Sequence, residues 1–221
     1  MKHIRKILAG FVAGLAVIIT LVAIDPALLG HGRLARPYAP QNDNQMASTT
    51  NSAIPPGAPI GGPFRLVDQF GQTVTRADYR GKYMLVFFGY SNCPDECPLT
   101  LQKMALAMQA LGPLAQHVAP IFITIDPAHD TPAVLKNYLL KFGHGLIGLT
   151  GSKARIASVA HEYDVAFDPN EAEASGSSMI NHSTYIYLMG RDGKFLNLFP
   201  FTITVRQLVA VLKAQLTRGD G

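Results

Sequence analysis

The run YMLVFFGY, residues 83–90, constrains this chain most, because it offers no polar face anywhere along its length. Aromatic residues and valine suit an extended backbone, and a strand that is apolar on both sides must be covered on both sides. A second run of this kind, APIFITID (119–126), follows one helix later. Between them, LTLQKMALAMQAL (99–111) sets Leu101, Met104, Leu106, Met108 and Leu111 largely at helical spacing and stops at Gly112-Pro113. Strand, helix and strand, with both strands buried, form the unit of a sheet sandwiched between helices.

The flanking segments extend that unit. FRLVDQFGQTV (64–74) reads as a hairpin around Gln69-Phe70-Gly71, and TPAVLKNYLLKF (131–142) as a helix with Thr131 as N-cap and Pro132 at its first position. SKARIASVAHEYD (152–164) reads as a third helix, followed by the short apolar VAF (165–167). HSTYIYLMG (182–190), an Asp192-Gly193 turn and KFLNLFP (194–200) read as a final hairpin, and TVRQLVAVLKAQL (204–216) as a closing amphipathic helix. This order predicts an α/β fold with a thioredoxin-like mixed sheet flanked by helices. With 221 residues, 48% of them hydrophobic, the chain has material for one such core rather than two.

We expect that domain over 61–217, with a tail at 218–221. Ahead of it, ILAGFVAGLAVIITLVAI (7–24) is an uncharged stretch of 18 residues. As a helix it would span about 27 Å, close to the hydrocarbon thickness of a bilayer. Lys2, Arg5 and Lys6, in the basic tail 1–6, hold three of the four net positive charges and precede the span. The positive-inside tendency then keeps the N-terminus in the cytoplasm and exports the rest. The rival is a cleaved signal peptide, disfavoured because no convincing A-x-A site follows Ile24. Residues 25–60, rich in Pro, Gly, Asn, Ser and Thr, read as a flexible linker. The expected setting is a bacterial cytoplasmic (inner) membrane, crossed once, with the domain on the periplasmic side; no extended Arg/Ser-rich transit region precedes the apolar run. The nearly neutral body excludes a phosphate-backbone binding face, so nucleic acid is not an expected partner.

Chemistry concentrates in GYSNCPDECP (89–98), where the first buried strand gives way to a helix, the usual position for a site in an open α/β sheet. Cys93 and Cys97 are the only cysteines, and a bridge between them closes too small a loop to add much stability. With Pro94 in the first helical turn, Cys93 lies near the N-cap and Cys97 four residues on, so both sulfurs point to one side. The helix N-terminus then lowers both thiol pKa values toward thiolate, the form that binds metal or attacks a disulfide. Two thiolates are too few for a closed zinc site, but two thiolates with one imidazole suit copper. Of seven histidines, His3 and His31 lie in the N-terminal segments, and His117, His144 and His161 fall in turns or on a helix surface. That leaves His129, within a helix lead-in, and His182, immediately before the strand STYIYLM, a loop that faces the cysteine turn in a thioredoxin-like sheet. Met104 and Met108, four apart on a helix, read as packing rather than thioether ligands.

GYSNCPDECP, IDPAHDTP (125–132) and NHSTYIYLMGRDGKF (181–195) together resemble the motifs of the Sco/SenC family of copper proteins over roughly residues 60–216. The resemblance implies a thioredoxin fold, one copper ion per domain as Cu(I) and also Cu(II), and Cys93, Cys97 and His182 as its ligands. It also implies a role in maturing the binuclear copper centre of cytochrome c oxidase. The family's acidic residue before the histidine is Asn181 here, and its arginine in the second motif is His129. Both changes bear on partner recognition and tuning more than on copper binding.

The expected role is therefore a membrane-anchored copper chaperone rather than an enzyme. Its partners would be a copper donor protein, the copper-bearing subunit of the oxidase and a thiol reductant that reopens the pair in an oxidising compartment. The alternatives are a thiol:disulfide oxidoreductase that keeps the oxidase subunit's cysteines reduced, or a copper or redox sensor. Residues 168–181, small and acidic with Gly and Ser, are expected to be a mobile lead-in to His182 that metal binding orders.

Overall fold

The computed structural model describes residues 54–143, 145–167, 180 and 182–218. The strands are β1 (Arg65–Asp68), β2 (Thr73–Thr75), β3 (Tyr83–Gly89), β4 (Val118–Thr124), β5 (Ile147–Thr150), β6 (Ile186–Met189) and β7 (Phe195–Phe199). They form one sheet in the order β2-β1-β5-β4-β3-β6-β7. β3, β4 and β5 run parallel, while β1 and β6 flank them antiparallel. Every residue of β3 and β4 is buried, as their unbroken apolar runs require. Helices α1 (Glu96–Leu111), α2 (Pro132–Leu139), α3 (Lys153–Glu162) and α4 (Val205–Arg218) complete the thioredoxin-like α/β fold.

Local chemistry sets the element ends. Asp68 Oδ1 accepts from the backbone N–H of Phe70 and Gln72 at 2.9 and 2.8 Å, which closes the first hairpin over Gly71. Thr131 caps α2 by accepting from Val134 N at 3.3 Å, with Pro132 at the first helical position. Ser152 does the same for α3 through Arg155 N at 3.4 Å.

Two features differ from the sequence reading. β5 was not anticipated: its four residues lie between Gly145 and Gly151 and include Gly148, too short and too glycine-rich to signal a strand. It is nevertheless what joins the first hairpin to the parallel strands. Gly148 is needed there because a Cβ would meet Leu139 Cδ1 at 2.6 Å. Within the segment read as linker, Ile54, Ala58 and Ile60 pack against the core, and Gly57 N donates to Phe195 O at 2.8 Å. The expected membrane span and the linker up to residue 53 lie outside the described residues. Among the described residues no helix is long and apolar enough to cross a membrane.

Candidate functional site

β3 ends at Gly89, and the chain turns through Tyr90, Ser91 and Asn92 to Cys93 before α1 begins. The N-cap is Asp95, so Pro94 stands outside the helix; this corrects the placement of Cys93 near the cap. Cys93 precedes the helix altogether, and Cys97 is its second residue. The two cysteines are thiols, Cys93 partly exposed and Cys97 fully buried. Cys97 N donates to Cys93 Sγ at 3.4 Å, so an amide of the helix N-terminus is aimed at the outer sulfur.

That geometry separates the two thiols instead of lowering both. The Cys97 thiol donates to Cys93, and with the backbone N–H groups of Cys97 and Asp95 it brings Cys93 down to about 5, against the opposing effect of burial. Cys97 moves up, first because it is the donor in that same bond and then because it is buried. The expectation of two lowered thiols thus holds for the outer one alone.

His182 reaches the pair from the chain that leads into β6, the strand beside β3. It forms an isolated antiparallel bridge with Phe167, and its neighbour Ser183 donates through N to Ala166 O at 3.2 Å. The ring stands edge-on to Tyr90 at 5.9 Å and tilted to Phe87 at 6.4 Å. His182 Nδ1 donates to Ser183 O at 3.0 Å, which leaves the Nε2 lone pair facing Cys97 Sγ at 3.7 Å. Burial lowers the His182 pKa, so the ring favours the neutral form that can act as a ligand. Tyr90 OH accepts from Ile180 N at 3.0 Å, fixing the chain two residues before the imidazole.

Several residues that position this site were not singled out in the sequence. Gly89 is one: a Cβ there would lie 2.8 Å from Cys97 Sγ and 3.0 Å from the Phe122 ring, so glycine is what leaves room for the buried sulfur. Asp130 is another, read from sequence only as part of a helix lead-in. Its carboxylate is wholly buried and accepts from Ser91 N at 3.0 Å, from Ser91 Oγ, and from Thr124 Oγ1 at 2.6 Å. Burial raises its pKa against the effect of those hydrogen bonds. A single carboxylate thereby ties the cysteine turn to the end of β4.

His129 touches the turn as well, accepting through Nε2 from Asn92 Nδ2 at 3.3 Å, with Nδ1 3.6 Å from Asp130 Oδ1. It contacts the loop rather than the sulfurs. His161 is exposed, as read from sequence, and His117 closes a 3₁₀ helix, Gly112–His117, rather than lying in a turn, whereas His144, Asn181 and 168–179 lie outside the described residues. Met104 is fully buried and Met108 packs against the core. Among the described residues no group of three or more His, Cys, Asp or Glu side chains stands as a ready-formed metal cluster. What the fold brings together is the buried thiol and the imidazole, with the outer thiol one hydrogen bond away.

A thioredoxin-like sheet that carries a reduced Cys-x-x-x-Cys turn at the end of a central strand and an imidazole against the inner thiol defines a class of thiol and soft-metal proteins. Within that class the chain belongs to the SCO1/SenC family, whose model matches residues 52–217. The SCO2-like protein of Rickettsia felis is 32% identical over 197 residues, covering 89% of this chain and 96% of that protein. The human mitochondrial SCO1 homolog is 36% identical over 142 residues, 63% of this chain and 47% of the relative. The chain thus spans about half the length of such mitochondrial relatives. Bradyrhizobium japonicum ScoI, solved with copper bound, is 43% identical with a TM-score of 0.64 over 71% of this chain and 99% of that one. Yeast Sco1 with copper bound is 34% identical with a TM-score of 0.66 over 72% of this chain and 88% of that one.

Proposed function

We propose that this protein is a copper chaperone of cytochrome c oxidase assembly, holding its cargo through Cys93, Cys97 and His182. The observation that carries the reading is the approach of a neutral imidazole, its Nε2 lone pair free, to the buried Cys97 thiol at 3.7 Å. Two sulfurs and one imidazole nitrogen form a soft donor set that fits copper and leaves a zinc ion one ligand short. Two relatives solved with copper bound support the choice of metal. The partly exposed Cys93 lies on the open side of the set, where groups of a receiving protein can replace the ligands one at a time. The receiver would be the copper-bearing oxidase subunit, and the source a separate donor protein. The proposal includes a single-pass anchor at 7–24 in a bacterial cytoplasmic membrane, with the domain outside.

The test is copper stoichiometry of the reduced protein before and after a competing chelator. Wild type should retain one copper, and His182→Ala should lose it while keeping its fold. Equal retention by both would remove His182 from the ligand set.

One observation favours a second reading. A thiol brought down to about 5 beside a buried one is the arrangement of a disulfide reductant. Cys93 thiolate would attack a substrate disulfide, releasing one substrate thiolate and forming a mixed disulfide. Cys97, losing its proton, would then displace the second substrate thiolate, leaving a Cys93–Cys97 disulfide and a reduced substrate. An external dithiol must return the two electrons. Disulfide turnover with such a dithiol that persists in His182→Ala would favour this reading over the chaperone.

A further inference from the structure

The residue that leaves β3 touches every member of the proposed ligand set. Tyr90 follows Gly89 and is buried, with 3% of its surface exposed. Its backbone N–H donates to Cys97 Sγ, against the upward shift of that thiol. Its carbonyl accepts from Cys93 N at 3.3 Å, which closes the turn that presents the outer sulfur. Its ring stands edge-on to the His182 imidazole, with centroids 5.9 Å apart. The backbone contacts alone would carry the cysteine turn, so the side chain has work of its own.

That side chain joins the two halves of the site. The hydroxyl oxygen accepts from Ile180 N at 3.0 Å, a buried bond across 90 positions of sequence, while its proton turns toward Cys93. Ser183 grips the chain just after His182, donating through N to Ala166 O at 3.2 Å and accepting through Oγ from Ala166 N at 3.3 Å. Ile180 is gripped just before it, and this grip comes from the cysteine side. A buried amide that loses its acceptor is left with its full desolvation penalty, so the phenol holds Ile180 firmly. Phenylalanine at 90 would keep the ring against His182 and lose only this hold. The imidazole is thus secured on both sides along the chain, with Nε2 3.7 Å from Cys97 Sγ.

We propose that Tyr90 is a positioning residue whose hydroxyl holds His182 beside the two sulfurs and thereby sets how tightly the site keeps its cargo. The inference rests on the reading of His182 as a ligand. A donor already held in place gives up little freedom when it binds, whereas one on a loosened segment must be ordered first. Removing the hydroxyl leaves all three donors in the chain and raises the ordering cost of one of them. Retention and release are therefore tuned from the end of β3, by a group that is not itself a ligand.

The test compares wild type, Tyr90→Phe, His182→Ala and the double variant, each as the reduced full chain in uncharged detergent micelles. In the metal-free proteins, hydrogen exchange at the Ile180 amide should speed up about ten-fold in Tyr90→Phe, while the amides of β3 exchange as in wild type. Copper affinity, measured against a graded series of chelators, should fall about ten-fold in Tyr90→Phe and further in His182→Ala, and the double variant should match His182→Ala. That lack of additivity marks a residue that acts through the imidazole. Unchanged exchange at Ile180, a rise shared by β3, or wild-type affinity in Tyr90→Phe beside a weakened His182→Ala would overturn the inference and leave the ligand reading standing. If His182→Ala itself binds copper as wild type does, the ligand reading falls and the inference falls with it.

Discussion

The two halves of the cysteine–histidine site are held in different ways. The cysteine turn hangs from the interior of the sheet: β3 delivers it, Gly89 clears space for its inner sulfur, and Asp130 fastens Ser91 to Thr124 at the end of β4. The histidine side rests on an isolated bridge to Phe167, two hydrogen bonds between Ser183 and Ala166, and ring contacts with Phe87 and Tyr90. A wholly buried carboxylate with three hydrogen bonds fixes geometry more strongly than partly exposed contacts of this kind. One half is therefore a preset seat, and the other an arm brought up to it.

The sharpest way to break this comparison is to remove the fastening. Asp130→Ala leaves Ser91 and Thr124 without their acceptor and should lower stability by about 3 kcal/mol in urea unfolding of the reduced protein. A loss below about 1 kcal/mol would mean that the turn is held by something else. Gly89→Ala comes next, at about 2 kcal/mol, because the new methyl must displace Cys97 Sγ or the Phe122 ring. The same variant should also bind copper more weakly. A crystal structure with both Cys97 and the Phe122 ring undisplaced would count against that steric account.

On the arm, the effect on stability should be smaller. His182→Ala should cost less than about 1 kcal/mol of folding stability while removing copper retention. A loss as large as that of Asp130→Ala would erase the distinction between seat and arm. The last measurement leaves stability untouched. In the reduced, metal-free protein, alkylation of Cys93 should rise with pH around a midpoint of about 5, because the thiolate is the nucleophile and forms above that value. Cys97, buried and shifted upward, should stay unmodified until the protein unfolds. A single midpoint near the ordinary thiol value of about 8.5 would show that the two sulfurs are equivalent.

The seat and the arm were not equally legible. β3 and β4 declared themselves as continuous apolar runs, and Thr131-Pro132 marked the start of α2, because these signals are local. The pairing of His182 with the cysteine turn was readable only through the fold, since 85 positions separate it from Cys97. Asp130 was invisible as a clamp for the same reason: an aspartate before a helix looks like a lead-in until burial and the Ser91 contact are seen. The opposite shifts of the two thiols follow from the hydrogen bond that Cys97 donates to Cys93 and then, for Cys97, from its burial, and spacing four apart carries no information about either. β5 was missed because Gly148 removes the side chain that would have marked it.

The depth of Cys97 gives the pair a front and a back. Any incoming sulfur, metal carrier or oxidant meets Cys93 first, and Cys97 becomes reachable only through what Cys93 has already engaged. Exchange at this site therefore has a fixed order of events, and traffic through it runs in single file.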